Sequence, residues 1–283
     1  MLWLLRVACF DVLSHSKAKI IGVTGSVGKS SFVYLLDAVI KNKFKTKTTL
    51  SGNSETGIPL EILGLRKVVG DYGWKNWLKI LVNLPMAYIK SRISFDYEVV
   101  IVEMGIDSSL SPKNMEYLLS MVPVDIGVFL SVALVHSEQF GQELNLKNKD
   151  DILQAIAMEK GKLLTSLGKN KIAVINGNIK YIKDLKIAAR KIILGKKKID
   201  INIKNYMVAD EQMVGIEGVI EVARHLGIKN AEKVIEEKFV MPPGRASILD
   251  GYNGSYIVDS SYNSSPIAVE IMIKEFKKLK IES

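Results

Sequence analysis

Short runs of apolar residues without polar alternation constrain the fold of this 283-residue chain more than any other feature of its sequence. A strand that is apolar on both faces has to be covered on both faces, as in the parallel sheets of α/β proteins. Most of the six candidate strands have this character: residues 19–23, 98–102, 126–130, 171–175, 191–194 and 256–258. Helical patterns lie between them, at residues 31–41, 151–167, 212–226 and 267–279. This alternation predicts an α/β fold with three layers, α/β/α, around a mostly parallel sheet.

The first apolar run leads into a glycine-containing stretch, IIGVTGSVGKSSF, at residues 20–32. A strand, a loop with two glycines and a lysine, and a helix follow one another there, which is the context of a phosphate-binding loop. The glycines let backbone N–H groups turn toward phosphate oxygens, and the helix start adds its own N–H groups. Val23 stands where the longer form of the motif has its first glycine, so the loop is the shorter G-x-x-G-K-S type. We expect Lys29 to neutralise phosphate charge and Ser30 to reach a magnesium ion.

Side chains that follow a buried strand are candidate site residues, because ligands of parallel sheets bind at the carboxyl ends of the strands. Glu103 ends such a run in the segment VVIVEMGID. A carboxylate at this place suits Mg²⁺, and a solvated strand end is the alternative. His136 follows the next strand, but Mg²⁺ prefers oxygen ligands, so the residues by themselves indicate an ordinary loop histidine.

The formal net charge of +9 favours an anionic partner, such as a nucleotide, a sugar phosphate, a nucleic acid or a lipid surface. Much of the excess lysine lies at residues 169–204 without interleaved aromatic residues. This favours a solvated basic face, and we expect no nucleic-acid partner. Cys9 is the single cysteine, which excludes an internal disulfide and a cysteine-based zinc site and fits a reducing, cytoplasmic compartment.

Two stretches outside the strands combine apolar and basic residues. MLWLLRVACFDVLS, at residues 1–14, has no leading positive charge and is interrupted by Arg6 and Asp11, so it predicts an amphipathic helix packed on the domain rather than a signal peptide. It is also too short to span a bilayer. WKNWLKILVNLPMAYIKSR, at residues 74–92, predicts a helix broken by Pro85. A helix that covers the core is the favoured interpretation, and a weak association with a membrane surface is the alternative.

Eight segments, in order along residues 17–275, together resemble the motifs of one enzyme family. They are VTGSVGKSS, NSETGIPLEIL, VEMGID, VHSEQFG, AMEKGKLL, AVINGN, PPGR and VDSSYNSSP. The ordered set resembles the central domain of the ATP-dependent Mur ligases. Within that family it most resembles the branch that joins D-alanyl-D-alanine to a UDP-MurNAc-tripeptide.

The resemblance implies an ATP-dependent carboxylate–amine ligase of peptidoglycan precursor synthesis, with ATP and Mg²⁺ as cofactors. In that family ATP phosphorylates a substrate carboxylate, an amine attacks the acyl phosphate, and phosphate leaves from a tetrahedral intermediate. Such a site gathers anions, so cations and backbone donors supply most of the stabilisation. The implied substrates are a UDP-MurNAc-peptide-like carboxylate and the amine of an amino acid or dipeptide.

The resemblance also implies residue roles. Lys160 matches a lysine that carbon dioxide converts into a magnesium-binding carbamate in the family, and the alternative is a lysine on a helix surface. The implied catalytic residues are Lys29, Lys160 and His136, and the implied metal ligands are Ser30, Glu103, His136 and Lys160. The implied nucleotide contacts are Thr24, Gly25, Ser26, Gly28, Lys29, Ser30, Ser31, Asn176, Arg245 and Asp259. The implied substrate contacts are Asn53, Ser54 and Glu55.

Several differences from the family pattern limit these implications. Some twenty residues precede the loop and the sequence stops at residue 283, so we expect the family's N-terminal UDP-binding domain and its C-terminal domain to be absent. Residues 1–18 would then be a helical lead-in and residues 19–283 the ATP-binding central domain, with a separate C-terminal domain as a candidate partner. Gln212 and Gly215 stand where the family has a pair of asparagines that contact adenine. Two alternatives stay open: a non-catalytic nucleotide-binding module or subunit of a split ligase, and an amide ligase for a substrate without UDP, such as polyglutamate.

Overall fold

A six-stranded parallel sheet organises the computed structural model, which describes residues 1–66, 73–135, 137–197, 199, 201, 203–262 and 266–277. The strands of this sheet are β1 (Lys19–Thr24), β2 (Thr46–Thr48), β3 (Val99–Glu103), β4 (Ile126–Phe129), β5 (Ile172–Asn176) and β6 (Arg190–Leu194). Their order is β2-β3-β1-β4-β5-β6, and every neighbouring pair is parallel. β7 (Ser247–Asp250) and β8 (Tyr256–Asp259) form a separate antiparallel pair. The helices are α1 (Leu2–His15), α2 (Lys29–Ile40), α3 (Gly57–Ile62), α4 (Trp74–Ser94), α5 (Met115–Leu119), α6 (Ser137–Glu143), α7 (Lys149–Thr165), α8 (Asp210–His225), α9 (Ala231–Lys238) and α10 (Pro266–Phe276).

Helices cover both faces of the sheet, and each face has its own apolar core. Successive side chains of a strand point to opposite faces, so Ile21 and Val23 of β1 enter one core while Ile20 enters the other. Residues of α2, α8 and α9 complete the first core, and residues of α1, α3, α4, α5 and α7 complete the second. The unbroken apolar runs are therefore the central strands, and the predicted three-layer α/β fold is confirmed.

The strand predictions are less accurate away from the centre of the sheet. The predicted strand at residues 256–258 exists, but as part of β8 it pairs antiparallel with β7 and does not join the parallel sheet. Its side chains are half-buried or exposed, so it lacks the two covered faces of a central strand. β2 and β7 were not predicted. β2 has only three residues, all half-buried, because it lies at the edge of the sheet.

The two apolar-basic stretches both form helices. α1 buries Leu5, Cys9 and Leu13 in the second core, so the packed N-terminal helix is confirmed. α4 runs from Trp74 to Ser94, and the expectation that Pro85 breaks it is wrong. Proline removes the N–H that would bond to the carbonyl four residues earlier, but that turn of α4 is exposed, so water can satisfy the carbonyl. Among the helices that the structure describes, none combines the length and apolarity that crossing a membrane requires.

Candidate functional site

The strand order brings the carboxyl ends of three strands together. The chain passes from β3 to β4 across β1, which lies between them. Such a crossing opens a crevice at the carboxyl edge of the sheet. Glu103 of β3 pairs in register with Val23, and Phe129 of β4 pairs with Thr24. The glycine loop after β1 therefore lies between the segments that follow β3 and β4.

The glycine loop has a backbone shape that depends on its glycines. It begins where β1 ends, at Thr24, and α2 begins at Lys29. Gly28 has a φ of +86°, a left-handed conformation that other residues rarely adopt. A Cβ on Gly25 would lie 3.1 Å from the backbone nitrogen of Ser131, so a side chain there would press on the segment after β4. The predicted strand, loop and helix are confirmed, and phosphate binding by the loop stays a prediction.

Hydrogen bonds to the segment after β4 hold the loop in place. The Ser131 hydroxyl accepts the N–H of Val27 at 2.9 Å and donates to the Val27 carbonyl at 2.8 Å. The Ser26 hydroxyl accepts the N–H of Ala133 at 2.9 Å and donates to its carbonyl at 3.2 Å. Sequence reasoning missed Ser131 and Ala133, although their place just beyond a buried strand was an available signal. The Ser26 side chain thus supports the loop, and its nucleotide contact stays a prediction.

Lys29 folds back over the loop from the first turn of α2. Its Nζ donates to the carbonyl of Gly25 at 2.9 Å. Burial lowers the pKa of Lys29, while the negative charges of Glu103 and Asp107 oppose this shift. The ammonium group therefore lies at the loop with two carboxylates in its surroundings, a position from which it can neutralise a phosphate.

Glu103 is a buried carboxylate with one oxygen left unsatisfied. Its side chain and backbone are 3% exposed at the end of β3. Oε1 accepts from Nδ2 of Asn53 at 2.9 Å, and the Glu103 N–H donates to Oγ1 of Thr49 at 3.0 Å. Oε2 is buried and has no hydrogen-bond partner in the part of the chain that the structure describes. Leaving a buried carboxylate oxygen unpaired is costly, so the arrangement fits a bound cation.

The donor set suits magnesium better than a metal enclosed by protein ligands. The described residues contain no group of three or more His, Cys, Asp and Glu side chains that could hold an ion. Mg²⁺ usually binds one or two carboxylates and keeps waters or substrate phosphates as its remaining ligands. Glu103, together with the Ser30 hydroxyl at the start of α2, fits this pattern.

Lys160 of α7 is also buried, at 5% exposed. The charges of Lys29 and Asp107 act on it. Burial and, to a smaller extent, the positive charge of Lys29 lower the pKa of Lys160 to about 7, against the opposing charges of Asp107 and Glu159. The alternative that Lys160 is a lysine on a helix surface is therefore wrong. With a pKa near 7, Lys160 is a neutral amine in a large fraction of the molecules at neutral pH. The neutral amine is the nucleophilic form.

Asp107 is a candidate site residue that sequence reasoning missed. Its negative charge opposes the lowering of the pKa of Lys29 and of that of Lys160, so it belongs to the electrostatic environment of both side chains. It belongs to the segment VEMGID, directly beyond the strand that Glu103 ends. A second carboxylate after a buried strand was therefore the signal that could have identified it.

The segment expected to contact substrate lies beside Glu103. Asn53 reaches that carboxylate with its side-chain amide. The Ser54 hydroxyl accepts the N–H of Gly57 at 3.2 Å, at the start of α3. Glu55 is half-buried. Asn53 and Ser54 thus position the segment through hydrogen bonds within the protein, and their contact with substrate stays a prediction.

The other expected nucleotide contacts near the loop differ in whether a hydrogen bond within the protein holds their side chain. Thr24 is fully buried, and its hydroxyl donates to a backbone carbonyl after β3 at 3.0 Å. Asn176 ends β5, and its Nδ2 donates to the carbonyl of Leu130 at 2.7 Å. Ser30 and Ser31 are half-buried in the first turn of α2. The Ser31 hydroxyl is hydrogen-bonded to the buried phenol of Tyr206, so Ser30 is better placed than Ser31 or Thr24 to turn toward a ligand. The nucleotide contacts of these residues stay predictions.

Arg245 and Asp259 lie in the C-terminal part of the chain. The Arg245 guanidinium carbon is 5.1 Å from the ring centroid of Tyr34 in α2 and 4.2 Å from that of Tyr262. The arginine therefore reaches the helix that begins at the glycine loop. Asp259 accepts hydrogen bonds from the hydroxyl and the N–H of Ser261, which hold the pKa of Asp259 below its usual range. The nucleotide contacts of both residues stay predictions.

The structure thus unites part of the predicted site. The charges of Glu103 and Asp107 act on Lys29, and those of Lys29 and Asp107 act on Lys160, so these four residues share one electrostatic environment. His136 lies outside the described residues, so its metal-binding and catalytic roles stay predictions. Gln212, at one of the expected adenine-contacting positions, accepts the N–H of Ala209 at 2.8 Å and so closes the start of α8.

Ligases from two bacteria are similar in sequence to this chain. The UDP-N-acetylmuramoyl-tripeptide–D-alanyl-D-alanine ligase of Borreliella burgdorferi is 24% identical over 293 aligned positions, which cover 93% of this chain and 53% of the relative. A ligase of the same name from Rickettsia prowazekii is 24% identical, with 94% of this chain and 57% of the relative covered. The chain therefore spans about half the length of the curated relatives that it matches.

Solved structures share the fold, and a family profile assigns the chain. The MurF ligase from Thermotoga maritima in complex with ADP superposes with a TM-score of 0.72 at 22% identity, over 98% of this chain and 60% of that one. A bifunctional folylpolyglutamate synthase/dihydrofolate synthase from Yersinia pestis, complexed with AMPPNP and a Mn ion, gives a TM-score of 0.61 at 15% identity, over 98% of this chain and 70% of that one. The sequence profile of the Mur ligase middle domain matches residues 23–220, which is well over half of the chain. The chain therefore belongs to the Mur ligase middle domain family.

Proposed function

We propose that this chain is the ATP-binding part of a Mur-type amide ligase of peptidoglycan precursor synthesis. The observation that carries the proposal is the set of half-buried Lys29 and buried Glu103 and Lys160, in which Glu103 has an unpaired oxygen and the charge of Lys29 acts on the pKa of Lys160. The matched relatives are named as ligases of UDP-N-acetylmuramoyl-tripeptide and D-alanyl-D-alanine, which supports the same reaction class here. The proposed substrates are ATP, a UDP-MurNAc-peptide-like carboxylate and a dipeptide amine, in the cytoplasm.

The proposed reaction needs positive charge where several anions meet. In the first step a carboxylate oxygen bonds to the γ-phosphorus of ATP as the bond to ADP breaks. In the second step the amine nitrogen bonds to the acyl carbon, phosphate leaves, and the nitrogen loses a proton. Lys29 and the backbone N–H groups of the glycine loop would hold the phosphates and reduce the repulsion between nucleotide and carboxylate. Arg245 and Asp259 would contact the nucleotide from the C-terminal side.

Glu103 and Ser30 would hold Mg²⁺ next to the phosphates. When bound, the ion supplies further positive charge beside the transferred phosphoryl group. Carbon dioxide would convert the neutral amine of Lys160 into a carbamate, whose negative charge attracts the ion where an ammonium would repel it. Asp107 would then balance the charge of Lys29.

The proposed division of the chain separates the N-terminal helix from the ATP-binding domain. Residues 19–283 would be the ATP-binding domain, and residues 1–18 would be a lead-in whose helix packs on it. Because the matching family is described as a middle domain, a separate C-terminal domain is the proposed partner that brings the amine. Asn53, Ser54 and Glu55 would face the carboxylate substrate, since Asn53 already contacts Glu103.

Nucleotide binding tests the first half of the proposal. Isothermal titration with MgADP should give saturable binding, and Lys29→Met should weaken it by roughly 100-fold, because charged hydrogen bonds to phosphate are lost. Glu103→Gln should weaken binding only when Mg²⁺ is present. Lys41→Met, at the exposed far end of α2, is the matched control and should keep the affinity. A folded chain that binds no MgADP would contradict the proposal.

Two further measurements test the chemistry. Carbon-13 NMR with labelled bicarbonate should show a carbamate signal that Lys160→Met removes. Phosphate release should then require ATP together with a UDP-MurNAc-tripeptide and D-alanyl-D-alanine. Nucleotide binding without any such release, even after addition of a C-terminal domain, would instead favour the non-catalytic module.

A further inference from the structure

α4 has two apolar faces, and the second core covers one of them. Ile80 and Leu84 are buried against that core. The other face is exposed, with Val82 at 71%, Met86 at 72% and Ile93 at 81% of full exposure. This face, called the α4 stripe below, consists of Trp74, Leu78, Leu81, Val82, Met86, Ile89 and Ile93. Apart from the adjacent Leu81 and Val82, successive members are three or four residues apart, so they form one continuous apolar band along the helix.

α1 adds exposed apolar groups next to α4. Tyr88 and Arg92 of α4 both bond to Oδ2 of Asp11 in α1, at 2.9 Å and 2.8 Å. Trp3 and Phe10 of α1 are 61% and 45% exposed. An extended apolar surface of this kind usually marks an interaction site in a water-soluble domain.

The charges along α4 are all positive. Its sequence contains Lys75, Lys79, Lys90 and Arg92 and has no aspartate or glutamate. A helix turns by about 100° per residue, which places Lys79 and Lys90 along one flank of the α4 stripe and Lys75 within its first turn. The stripe is therefore bordered by ammonium groups without acidic neighbours on the same helix.

A cavity beside this flank repeats the same charge pattern. It has a volume of about 720 Å³ and lies between α4, the end of α3 and the edge strand β2. Its cationic lining residues are Lys47, Arg66, Lys79 and Lys90, and no acidic residue is among the described residues that line it. Lys79 and Lys90 thus border both the cavity and the stripe. A cationic cavity next to an exposed apolar band suits a ligand with a phosphate group and an apolar tail.

We propose that α4 lies in the plane of an anionic phospholipid surface. The α4 stripe would enter the boundary between headgroups and acyl chains, and the cationic cavity would receive a headgroup phosphate. The net charge of +9 would add long-range attraction to such a surface. A peripheral location agrees with the finding that no described helix can cross a membrane. A second copy of the chain is a poorer occupant, because α4 would have to meet its own positive charges.

Vesicle binding of the full chain tests the proposal. Cosedimentation with vesicles of phosphatidylcholine and phosphatidylglycerol should show binding that weakens with salt, and vesicles of phosphatidylcholine alone should bind much less. Lys79→Gln with Lys90→Gln should reduce the partition coefficient by roughly 30-fold, at about fivefold per lysine. Val82→Gln with Ile93→Gln should reduce it by at least roughly tenfold, because two inserted apolar groups are lost. The fluorescence of Trp74 should shift to the blue on binding.

Matched controls separate the α4 surface from net charge. Lys229→Gln with Lys238→Gln removes the same charge from exposed positions near the start and at the end of α9, on the opposite face of the sheet, and should change the partition coefficient by less than about threefold. Far-ultraviolet circular dichroism should show that every variant is folded. All substituted positions are exposed, so folding should be retained.

Four outcomes would overturn the proposal. The first is no vesicle binding by the folded chain. The second is equal binding to neutral vesicles that the lysine substitutions leave unchanged. The third is a dimer in solution that Val82→Gln with Ile93→Gln dissociates, which would assign the stripe to a second copy. The fourth is displacement from vesicles by millimolar glycerol phosphate, which would make the cavity a site for a free phosphate compound.

Discussion

The carboxyl edge of the sheet buries charged side chains, whereas the α4 stripe exposes apolar ones. At the sheet edge, Glu103 is 3% exposed and Lys160 is 5% exposed, although charged side chains are rarely buried. Along the stripe, Val82 and Ile93 are 71% and 81% exposed, although large apolar side chains usually lie inside. Buried charge and exposed apolar area both cost free energy in the isolated chain. Each region thus fits the occupant proposed for it, a metal–nucleotide complex in one case and a phospholipid surface in the other.

The two regions also differ in how they are held. Hydrogen bonds from strand ends and loops position Glu103 on both sides, through Asn53 and Thr49. The α4 stripe is held through the opposite face of its own helix, where Ile80 and Leu84 are buried. The first region is thus preorganised for a ligand of fixed geometry. The second presents a band to a partner that need not match it atom by atom.

The largest expected effect comes from removing the buried charge at Lys160. The pKa of Lys160 is about 7 in the folded chain and about 10.4 in an unfolded one, so the unfolded state holds the proton more tightly. Below pH 7 both states are protonated and the folded state bears the whole penalty, which fades as the pH rises toward 10. Lys160→Met should therefore raise the free energy of unfolding by on the order of 4 kcal/mol at pH 6 and much less at pH 10. Urea denaturation at both pH values, without carbon dioxide and metal, measures this.

An exposed lysine supplies the control for this prediction. Lys169→Met, between α7 and β5, should change the free energy of unfolding by less than about 0.5 kcal/mol at either pH. A gain for Lys160→Met that is the same at pH 6 and pH 10 would mean that packing, and not charge, limits stability at this position. Burial of the charge at Lys160 would then not be what distinguishes the sheet edge from the α4 stripe.

The next effect compares the two faces of α4. Leu84→Ala should lower the free energy of unfolding by about 2–3 kcal/mol, since Leu84 is buried in the second core and leaves a cavity. Val82→Ala, on the α4 stripe, should change it by less than about 0.5 kcal/mol. Urea denaturation of both variants measures the difference. Equal losses would mean that the α4 stripe is covered in solution, and it would then no longer count as an exposed apolar surface.

The centre of the sheet could be predicted because burial on both faces leaves a strong mark on sequence. β1, β3, β4 and β5 all coincide with apolar runs. β2 could not be predicted, because a three-residue edge strand with the sequence TKT needs no apolar pattern. Pro85 misled because the cost of a proline in a helix depends on whether the freed carbonyl reaches water, and sequence alone does not show exposure.

The candidate site shows a similar division. Lys29 and Glu103 follow from local order, a strand followed by a characteristic residue. The state of Lys160 does not, because its pKa depends on burial under distant elements and on the charge of Lys29. Asp107 had a local signal, its place after a buried strand, but only the folded chain shows that its charge acts on both lysines. Local motifs thus identify the members of a site, while their protonation depends on long-range packing.

The smallest expected effect tests the coupling between the two site lysines. Lys29 is the second cause of the low pKa of Lys160, after burial. In Lys29→Met the pKa of Lys160 should therefore rise from about 7 toward the ordinary value of a lysine, while burial still keeps it below that value. The pH dependence of carbon-13 chemical shifts after reductive methylation of the lysines measures this pKa. The neutral fraction of Lys160 at pH 7 should fall, and with it the carbamate formed at a given bicarbonate concentration. Lys41→Met, at the far end of α2, should leave the pKa of Lys160 unchanged. An unchanged pKa in Lys29→Met as well would mean that burial alone sets the state of Lys160, and that the loop lysine and the helix lysine act independently.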